Sequence, residues 1–529
     1  MSLKNIYKWH RTLSLIIAVP VLLWAISGLM HPIMTNLRPA VNSQSVAVEL
    51  LDSSRIKLPL DKVLQQNHID SVFSARLVHI DTNWFYQVKS DRSNELNYIS
   101  AKSGSILTKG DWLYAQYLAR QFLEGAPKQK HKMQQMDMPA GTVMEGMNGV
   151  ADCCGEAANT VLNNKTGAPI ISASIVTKFN EEYKPIYCLL PVYKVAFKRP
   201  DQIRIYVETG QDRFSIAVDK NRAAFTKFFD LVHTWGWINF LGKGRLFVEM
   251  FFAGLGFITA LMGLYIFFKT TSKKANGNEL VRARRRHRFT SIVAVSFTLM
   301  FTFSGCYHAF SKIGAEEKPV QTIRHAFAGT DIHFDLHRLQ SAVKKPITNF
   351  GLASINGKTY WQIYQQSATG KRKKDLMKDM SATVPVCTYV DANDYSILNN
   401  GDEIYARSLA GHFSKHPQKE IVSAERISKF TNEYNFTDKR LPVWKVNYPF
   451  NHNERLYVET STGALAKQTN NVELAEGYSF ALFHKHHFWD FLGKTVRDAS
   501  TLIGAFLQIL MVSIGLTLYF KWRNRKVKA

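Results

Sequence analysis

Four stretches of the chain stay apolar long enough to cross a bilayer: Thr12 to Met34, Leu246 to Phe268, Phe289 to Phe310 and Thr501 to Phe520. Each is close to the roughly 20 residues that a helix needs to span the hydrocarbon core. Two long polar stretches separate them. Within these, alternating runs such as "RIYVET" and "RLYVET" end in turn-like "TGQD" and "STGA", the period-two pattern of antiparallel strands. The segments "EEYKPIY" and "NEYNF" read as helical approaches. The pattern predicts an α+β membrane protein with four transmembrane helices and two large domains outside the bilayer. Its expected divisions are 1–34 (leader and first span), 35–245 (first outer domain), 246–268 (second span), 269–288 (basic loop), 289–310 (third span), 311–500 (second outer domain), 501–520 (fourth span) and 521–529 (basic tail). The first apolar run is longer than the core of a cleaved signal peptide and no small-x-small site follows it, so it reads as a retained helix.

The chain is also written twice. "HRTLSLIIAVPVLLWAISGLMH" matches "HRFTSIVAVSFTLMFTFSGCYH" at an offset of 277, which pairs His10 with His287 and His31 with His308. "LPVYKVAF" matches "LPVWKVNY", and "HTWGWINFLGK" matches "HKHHFWDFLGK", at an offset of 251 that pairs His233 with His484. "LYAQYLARQF" aligns with "IYARSLAGHF" at 291. The changes of offset place one insertion at about 124–173 in the first half and another, containing "GKRKKDLMK", in the second. Each half is thus a span, an outer domain and a returning span. The halves are parallel repeats related by a pseudo-twofold axis along the membrane normal, so equivalent residues should face each other at equal depth.

Charge fixes the expected orientation. Lys4, Lys8 and Arg11 precede the first span; Lys269, Lys273, Lys274, Arg282, Arg284, Arg285, Arg286 and Arg288 lie between the second and third; Lys521, Arg523, Arg525, Lys526 and Lys528 follow the fourth. These short segments hold more than half of the net +25, and by the positive-inside rule they are cytoplasmic. Both termini then lie inside, and both large domains face out, which in a bacterium is the periplasm of the inner membrane. The run "RARRRHR" is a topology signal between two spans rather than a nucleic-acid patch.

Of the 17 histidines, six form three repeat-matched pairs at or beside span ends: His10 with His287, His31 with His308, His233 with His484. His10 and His31 stand within roughly 60° on one helix face and about 31 Å apart along the axis, marking the two boundaries of the bilayer. Snorkelling to the headgroups explains a lone interfacial histidine; three pairs at fixed offsets favour a shared function. Zinc draws cysteine or carboxylate ligands at short spacing, and none accompany these residues. A flat macrocycle held between facing helices needs only one imidazole from each. No C-x-x-C-H is present, so a haem here is non-covalent, haem b.

A leading "KWHR", spans ending "SGLMH" and "SGCYH", and a histidine followed by "FLGK" before each returning span together resemble the PepSY-associated transmembrane (PepSY-TM) proteins of bacteria. The resemblance covers the four spans and the "YVET" segments, and it implies PepSY-like α+β periplasmic domains. It further implies an activity known for some members: an inner-membrane ferric-siderophore reductase with two b haems on membrane histidines, here His10, His31, His233, His287, His308 and His484. Electrons would pass to a ferric siderophore or other iron complex outside, aiding iron uptake. No G-x-G-x-x-G or other nucleotide fingerprint is present, since "GLGFITALMG" lies inside a span. The donor is therefore a separate cytoplasmic partner or a quinol.

Two features point elsewhere. The first-half insertion "HKMQQMDMPAGTVMEGMNGVADCC" places Met133, Met136, Met138, Cys153 and Cys154 together, soft ligands suited to Cu(I), although an adaptable apolar flap explains the methionines equally. Either cysteine could bridge to Cys188 in an oxidising compartment, while Cys306 sits in a span as packing. His486 and His487 have no histidine counterpart in the first half and are candidates for substrate contact or simple solvation. The competing readings are a metal-binding transport accessory for copper or iron, and a non-enzymatic PepSY module that binds a periplasmic partner.

Overall fold

The computed structural model describes residues 2–93, 95–124, 167–272, 274–314, 320–366 and 386–528, with side chains to 524. Met133, Met136, Met138, Cys153 and Cys154 lie outside the described residues. The helices, in chain order, are α1 (Leu3–Asn36), α2 (Leu60–Gln66), α3 (Gly110–Glu124), α4 (Lys220–Val232), α5 (Gly244–Lys269), α6 (Glu279–Ile313), α7 (Leu336–Val343), α8 (Gly401–Ser414), α9 (Asn471–Ser479) and α10 (Lys494–Lys528). Two compact units emerge: Met1–Arg38, Asn221–Glu317 and Asn470–Ala529 form one, Pro39–Lys220 and Lys318–Thr469 the other.

The first unit is a bundle of α1, α5, α6 and α10, four helices long and apolar enough to cross a membrane. The protein is a multi-pass membrane protein on this ground. α1 packs along α5 and α10, and α6 packs along the same two helices. The opening helices of the two repeats, α1 and α6, therefore stand at opposite corners, as a twofold relation requires. Hydroxyls inside the bundle are satisfied by their own helix: Ser14, Ser27, Thr259, Thr298, Thr302 and Ser304 each donate to the carbonyl one turn back. In a medium without water this removes the cost of an unmade hydrogen bond. The basic run expected as loop up to 288 is largely helix. α6 begins at Glu279, capped by the Asn278 side chain, which accepts from the Leu280 and Val281 amides at 3.0 and 3.3 Å. Arg, Leu and Ala are strong helix formers, and an N-cap outweighs the charge repulsion along that turn.

The second unit contains four antiparallel sheets. The strands are β1 (Ser71–Ile80), β2 (Asn83–Ser90), β3 (Asn97–Ser100), β4 (Ile170–Val176), β5 (Val192–Phe197), β6 (Arg204–Glu208), β7 (Arg213–Val218), β8 (Phe327–Ala328), β9 (Ile347–Ile355), β10 (Lys358–Gln365), β11 (Val386–Asp391), β12 (Ile397–Leu398), β13 (Ser423–Ile427), β14 (Val443–Asn447), β15 (Arg455–Glu459) and β16 (Ala464–Thr469). The sheet orders are β3-β2-β1-β8, β4-β5-β6-β7, β12-β11-β10-β9 and β13-β14-β15-β16, so each half contributes an equivalent pair. The halves share material. β8, from the second half, pairs with β1 of the first through Ser71 to Ala328 and Val72 to Phe327, and one core runs from Val72, Trp84 and Tyr86 to Phe334, Phe350 and Trp361. Asn349 ties the backbone of Leu77 on β1 to β9, its Oδ1 accepting at 3.0 Å and its Nδ2 donating at 2.9 Å.

Of the expected helical approaches, "EEYKPIY" ends in one 3-10 turn, Pro185–Tyr187, and "NEYNF" is a loop. In each, a buried tyrosine donates to a carbonyl six residues on, Tyr183 to Leu189 at 2.8 Å and Tyr434 to Arg440 at 2.7 Å. That bond closes the turn over the intervening residues. The glutamates of the two "YVET" segments meet in one ionic cluster: Arg213 pairs with Glu208 at 3.2 Å and with Glu459, and Arg440 pairs with Glu459 at 2.7 Å.

Candidate functional site

The matched histidines of the bundle fall in two layers. In the inner layer, His10 on α1 and His287 on α6 lie at opposite corners, close enough for the charge of one to act on the other. Each rests against a glycine of its own repeat's returning helix. A Cβ on Gly263 would come within 3.1 Å of His10 Cε1, and one on Gly515 within 3.3 Å of His287 Cε1. Any side chain there would push on the imidazole. His10 Nδ1 donates to the Thr259 carbonyl at 3.2 Å, whereas His287 Nδ1 is buried without a hydrogen-bond partner among the described residues.

The outer layer is a row of six rings that reads alike from either end. His31 lies 5.8 Å from Phe229, Phe229 stacks on His233 at 4.4 Å, and His233 meets His484 edge-on at 6.2 Å. The row continues from His484 to Phe480 at 4.6 Å and from Phe480 to His308 at 4.4 Å. Phe229 and Phe480 are repeat equivalents, as are the two serines that hold the central histidines. Ser27 Oγ stands 2.9 Å from His233 Nδ1, and Ser304 Oγ stands 3.2 Å from His484 Nδ1. Each hydroxyl gives its one hydrogen to a carbonyl one turn back, Leu23 or Met300, at 2.7 Å. The serine oxygen is then left to accept from Nδ1–H, which fixes the tautomer and leaves Nε2 as the unprotonated nitrogen. His308 Nδ1 is held likewise by Glu476 at 2.6 Å. Burial, with a smaller push from His31, lowers the His233 pKa to about 4, and burial among other basic groups lowers that of His484. Both are neutral at ordinary pH, as metal ligation requires.

The halves differ beside this row. Trp24 stacks on Trp235 at 5.0 Å and 6° and donates its indole N–H to the His233 carbonyl at 3.0 Å. At the equivalent place Phe301 stacks on His486 at 5.3 Å and 8°. His486 is thus a buried ring in the position of Trp235, with Nδ1 3.0 Å from Ser500 Oγ. His487 lies nearer the surface, 2.8 Å from Asp490. Cys306 packs between spans, its Sγ 4.0 Å from the Met250 carbonyl, and no disulfide joins the described cysteines. Among the described residues no three of His, Cys, Asp and Glu converge as ligands for a bare metal ion.

Sequence spacing brought the six histidines to notice and missed their supports. The signal was present in the repeat: Ser27 and Ser304 sit in "SGLMH" and "SGCYH" at an offset of 277, Phe229 and Phe480 stand four residues before His233 and His484 at 251, and Gly263 and Gly515 fall in "GLYIFFK" and "GLTLYFK" at 252.

A bundle of two parallel hairpins with paired histidines at both faces, joined to a repeated antiparallel α+β unit, defines a class of membrane protein built by duplication around its own axis. The chain matches the PepSY-associated TM region family over residues 7–374 and belongs to it. That stretch contains His10, His31, His233, His287 and His308, and ends before His484. No curated protein matches the chain.

Proposed function

We propose that this protein is a haem-bearing reductase of the bacterial inner membrane that passes electrons to a ferric siderophore or other ferric chelate on the periplasmic side. The basic segments around α1, α6 and α10 face the cytoplasm in this reading, and the outer sheets stand in the periplasm. The observation that carries it is the symmetric outer row, in which His233 and His484 are neutral, oriented through Nδ1, and left with Nε2 to coordinate.

The donor set fits haem b better than a bare ion. A bare zinc or copper ion draws three or four protein ligands, and the described histidines form no such cage. A macrocycle brings four nitrogens of its own and asks the protein for one or two imidazoles. The unpartnered buried Nδ1 of His287 and the glycine clearances at Gly263 and Gly515 fit an inner site of the same kind. Two haems, one per layer, are expected, with His10 and His287 at the inner and one or two of His31, His233, His308 and His484 ligating the outer.

Bound haem supplies one-electron redox chemistry. The chain's own residues do the rest: Ser27, Ser304 and Glu476 fix ring orientation and raise the basicity of Nε2, the phenyl rings of Phe229 and Phe480 exclude water, and the two layers put redox centres at both faces of the bilayer. Each electron delivered converts one Fe(III) to Fe(II), for which hard oxygen chelators have much lower affinity.

The test is an absorption spectrum of the purified protein, oxidised and then dithionite-reduced, from cells supplied with haem. We expect b-type α and Soret bands; their absence sinks the reading. His10→Ala and His287→Ala should remove the same fraction of the haem, and loss of different haems would refute the inner pairing.

A further inference from the structure

The electron donor is undefined by any motif, and one corner of the bundle bears on it. Glu249 is the sole carboxylate in α5, about 8 Å below the helix start at 1.5 Å per residue. Its side chain is 17 % exposed, and Oε1 is buried without a hydrogen bond among the described residues. Arg245 stands 3.4 Å away, within ion-pair range, but its Nε is likewise buried without a hydrogen bond. Its guanidinium instead donates to Asn239 at 2.5 Å.

A third unpartnered atom belongs to the same corner. Trp235 Nε1 is buried and makes no hydrogen bond among the described residues. Its ring meets Phe252 at 5.5 Å, and Phe252 lies three residues beyond Glu249, one turn along the same helix face. Trp235 therefore packs against the face of α5 that carries Glu249, and its other side is stacked on Trp24, whose N–H holds the His233 carbonyl.

The second half has no such corner. There one more residue separates "FLGK" from the arginine, so the offset becomes 252 and Arg245 corresponds to Arg497, which is met by Asp490 at 2.8 Å and Asp498 at 3.6 Å, both at the helix entrance. The residue matching Glu249 is Thr501, which satisfies itself on the Arg497 carbonyl at 3.2 Å. The first half has its carboxylate a turn deeper along the helix and leaves that Oε1, an indole N–H and a guanidinium N–H without hydrogen bonds among the described residues. A carboxylate within a membrane-spanning helix is costly to keep and points to a function. Unmade hydrogen bonds of this kind are likewise costly.

We propose that this corner binds a hydroquinone, a lipid-soluble two-electron donor, with Glu249 accepting its hydroxyl protons and Trp235 donating to a ring oxygen. This rests on the reductase reading above. The hydroquinone loses two electrons and two protons and leaves as the quinone. The protons pass in succession to the Glu249 carboxylate and out to water at the near surface. The hydroquinone's two electrons would leave one at a time by way of haem held by the outer histidines, and together they reduce two ferric ions. Trp24 and Trp235 fill the space between the corner and His233, so donor and layer are in adjoining positions.

The experiment mixes the purified full-length protein with decylubiquinol and follows its haem bands, with dithionite as the control reductant. Wild type should be reduced by both. Glu249→Gln should slow reduction by the quinol about tenfold or more, with an unchanged dithionite-reduced spectrum, and Glu249→Asp should recover part of the rate. Equal quinol rates in wild type and Glu249→Gln overturn the proposal. So does a wild type that dithionite reduces and the quinol does not. A wild type without haem bands overturns the reductase reading itself, and this one with it.

Discussion

The two halves of the molecule answer the same structural problem with different residues. In the sheet-bearing unit, the first half builds a largely buried ion pair: Arg76 reaches Asp212 at 2.6 Å, the Gln87 side chain and the Thr209 carbonyl. The second half keeps the rest of that network, with Gln362 donating to Tyr389 and to the Thr460 carbonyl. At the matching places it has Gly351 and Gly463, and Gln362 Oε1 is left without a partner. In the bundle the reverse holds. There the central ring row is nearly identical in the two halves, down to the serine behind each histidine. The sheets tolerate different residues in the two copies, whereas the row across the axis is alike in both, as the proposed shared site requires.

That contrast predicts its largest effect at the centre of the row. His233→Ala and His484→Ala should each abolish the outer haem signal, although only His233 lies inside the matched family region. Replacing His486, which occupies the place of Trp235, by Phe should leave haem content unchanged. Haem-to-protein ratios of monodisperse preparations would decide it. A His484→Ala protein with full haem content would break the symmetry argument, and a His486→Phe protein without haem would move the site.

The next effect belongs to the sheet-bearing unit. Burial by itself would raise the Asp212 carboxyl, but the charge and hydrogen bonds of Arg76, with help from Tyr114, hold it below the ordinary carboxylate value. Glu459 is held low in the same way, against burial, by Arg213 and Arg440. A carboxylate whose folded pKa is depressed contributes stability above its unfolded pKa, near 4, and loses it as the pH falls toward the folded value. The sheet-bearing unit should therefore be flat in stability through neutral pH and weaken below about pH 4. Asp212→Asn leaves Arg76 buried and uncompensated, a loss of about 3–5 kcal/mol. Replacing Gly351, at the second-half counterpart of Arg76, by Ala touches no charge; its Cβ would come within 2.8 Å of Gln362 Oε1, which must give way, and the cost should still be the smaller. Denaturant titrations of the purified protein across pH 3–7 would show both. Equal losses for the two variants would mean that the ion pair is not what distinguishes the halves.

Much of this was legible in the sequence because duplication repeats the signal. The four spans, the strands around "YVET" and the six histidines could be read from hydropathy, alternation and fixed offsets. What could not be read was what the two halves do together. β8 pairs with a strand more than 240 residues earlier, a contact without local periodicity, and the shared core follows from it. The segments at Tyr183 and Tyr434 hold at most one 3-10 turn, although Glu and Lys favour helix, because each tyrosine hydroxyl bonds a carbonyl six residues on, just before a strand. The supports of the histidines were overlooked for another reason. Serine, phenylalanine and glycine in a span read as ordinary packing until the ring beside them is located.

The smallest predicted effect is the most discriminating for the row itself. Ser27 and Ser304 perform the same task at 2.9 and 3.2 Å, so their removal should be unequal. A neutral hydrogen bond of this kind is worth about 0.5–1.5 kcal/mol, and loss of a group orienting a ligating histidine commonly lowers affinity about 10–100-fold. Ser27→Ala should therefore speed transfer of haem to an apo-protein acceptor by roughly tenfold, toward the low end of that range, and Ser304→Ala by less, since its bond is the longer. Both variants retain the helix hydrogen bonds that the backbone makes without them. If Ser304→Ala proved the more damaging, the second half would hold the tighter side of the site, and Glu476 behind His308, a carboxylate with no equivalent in the first half, would be the reason to examine next.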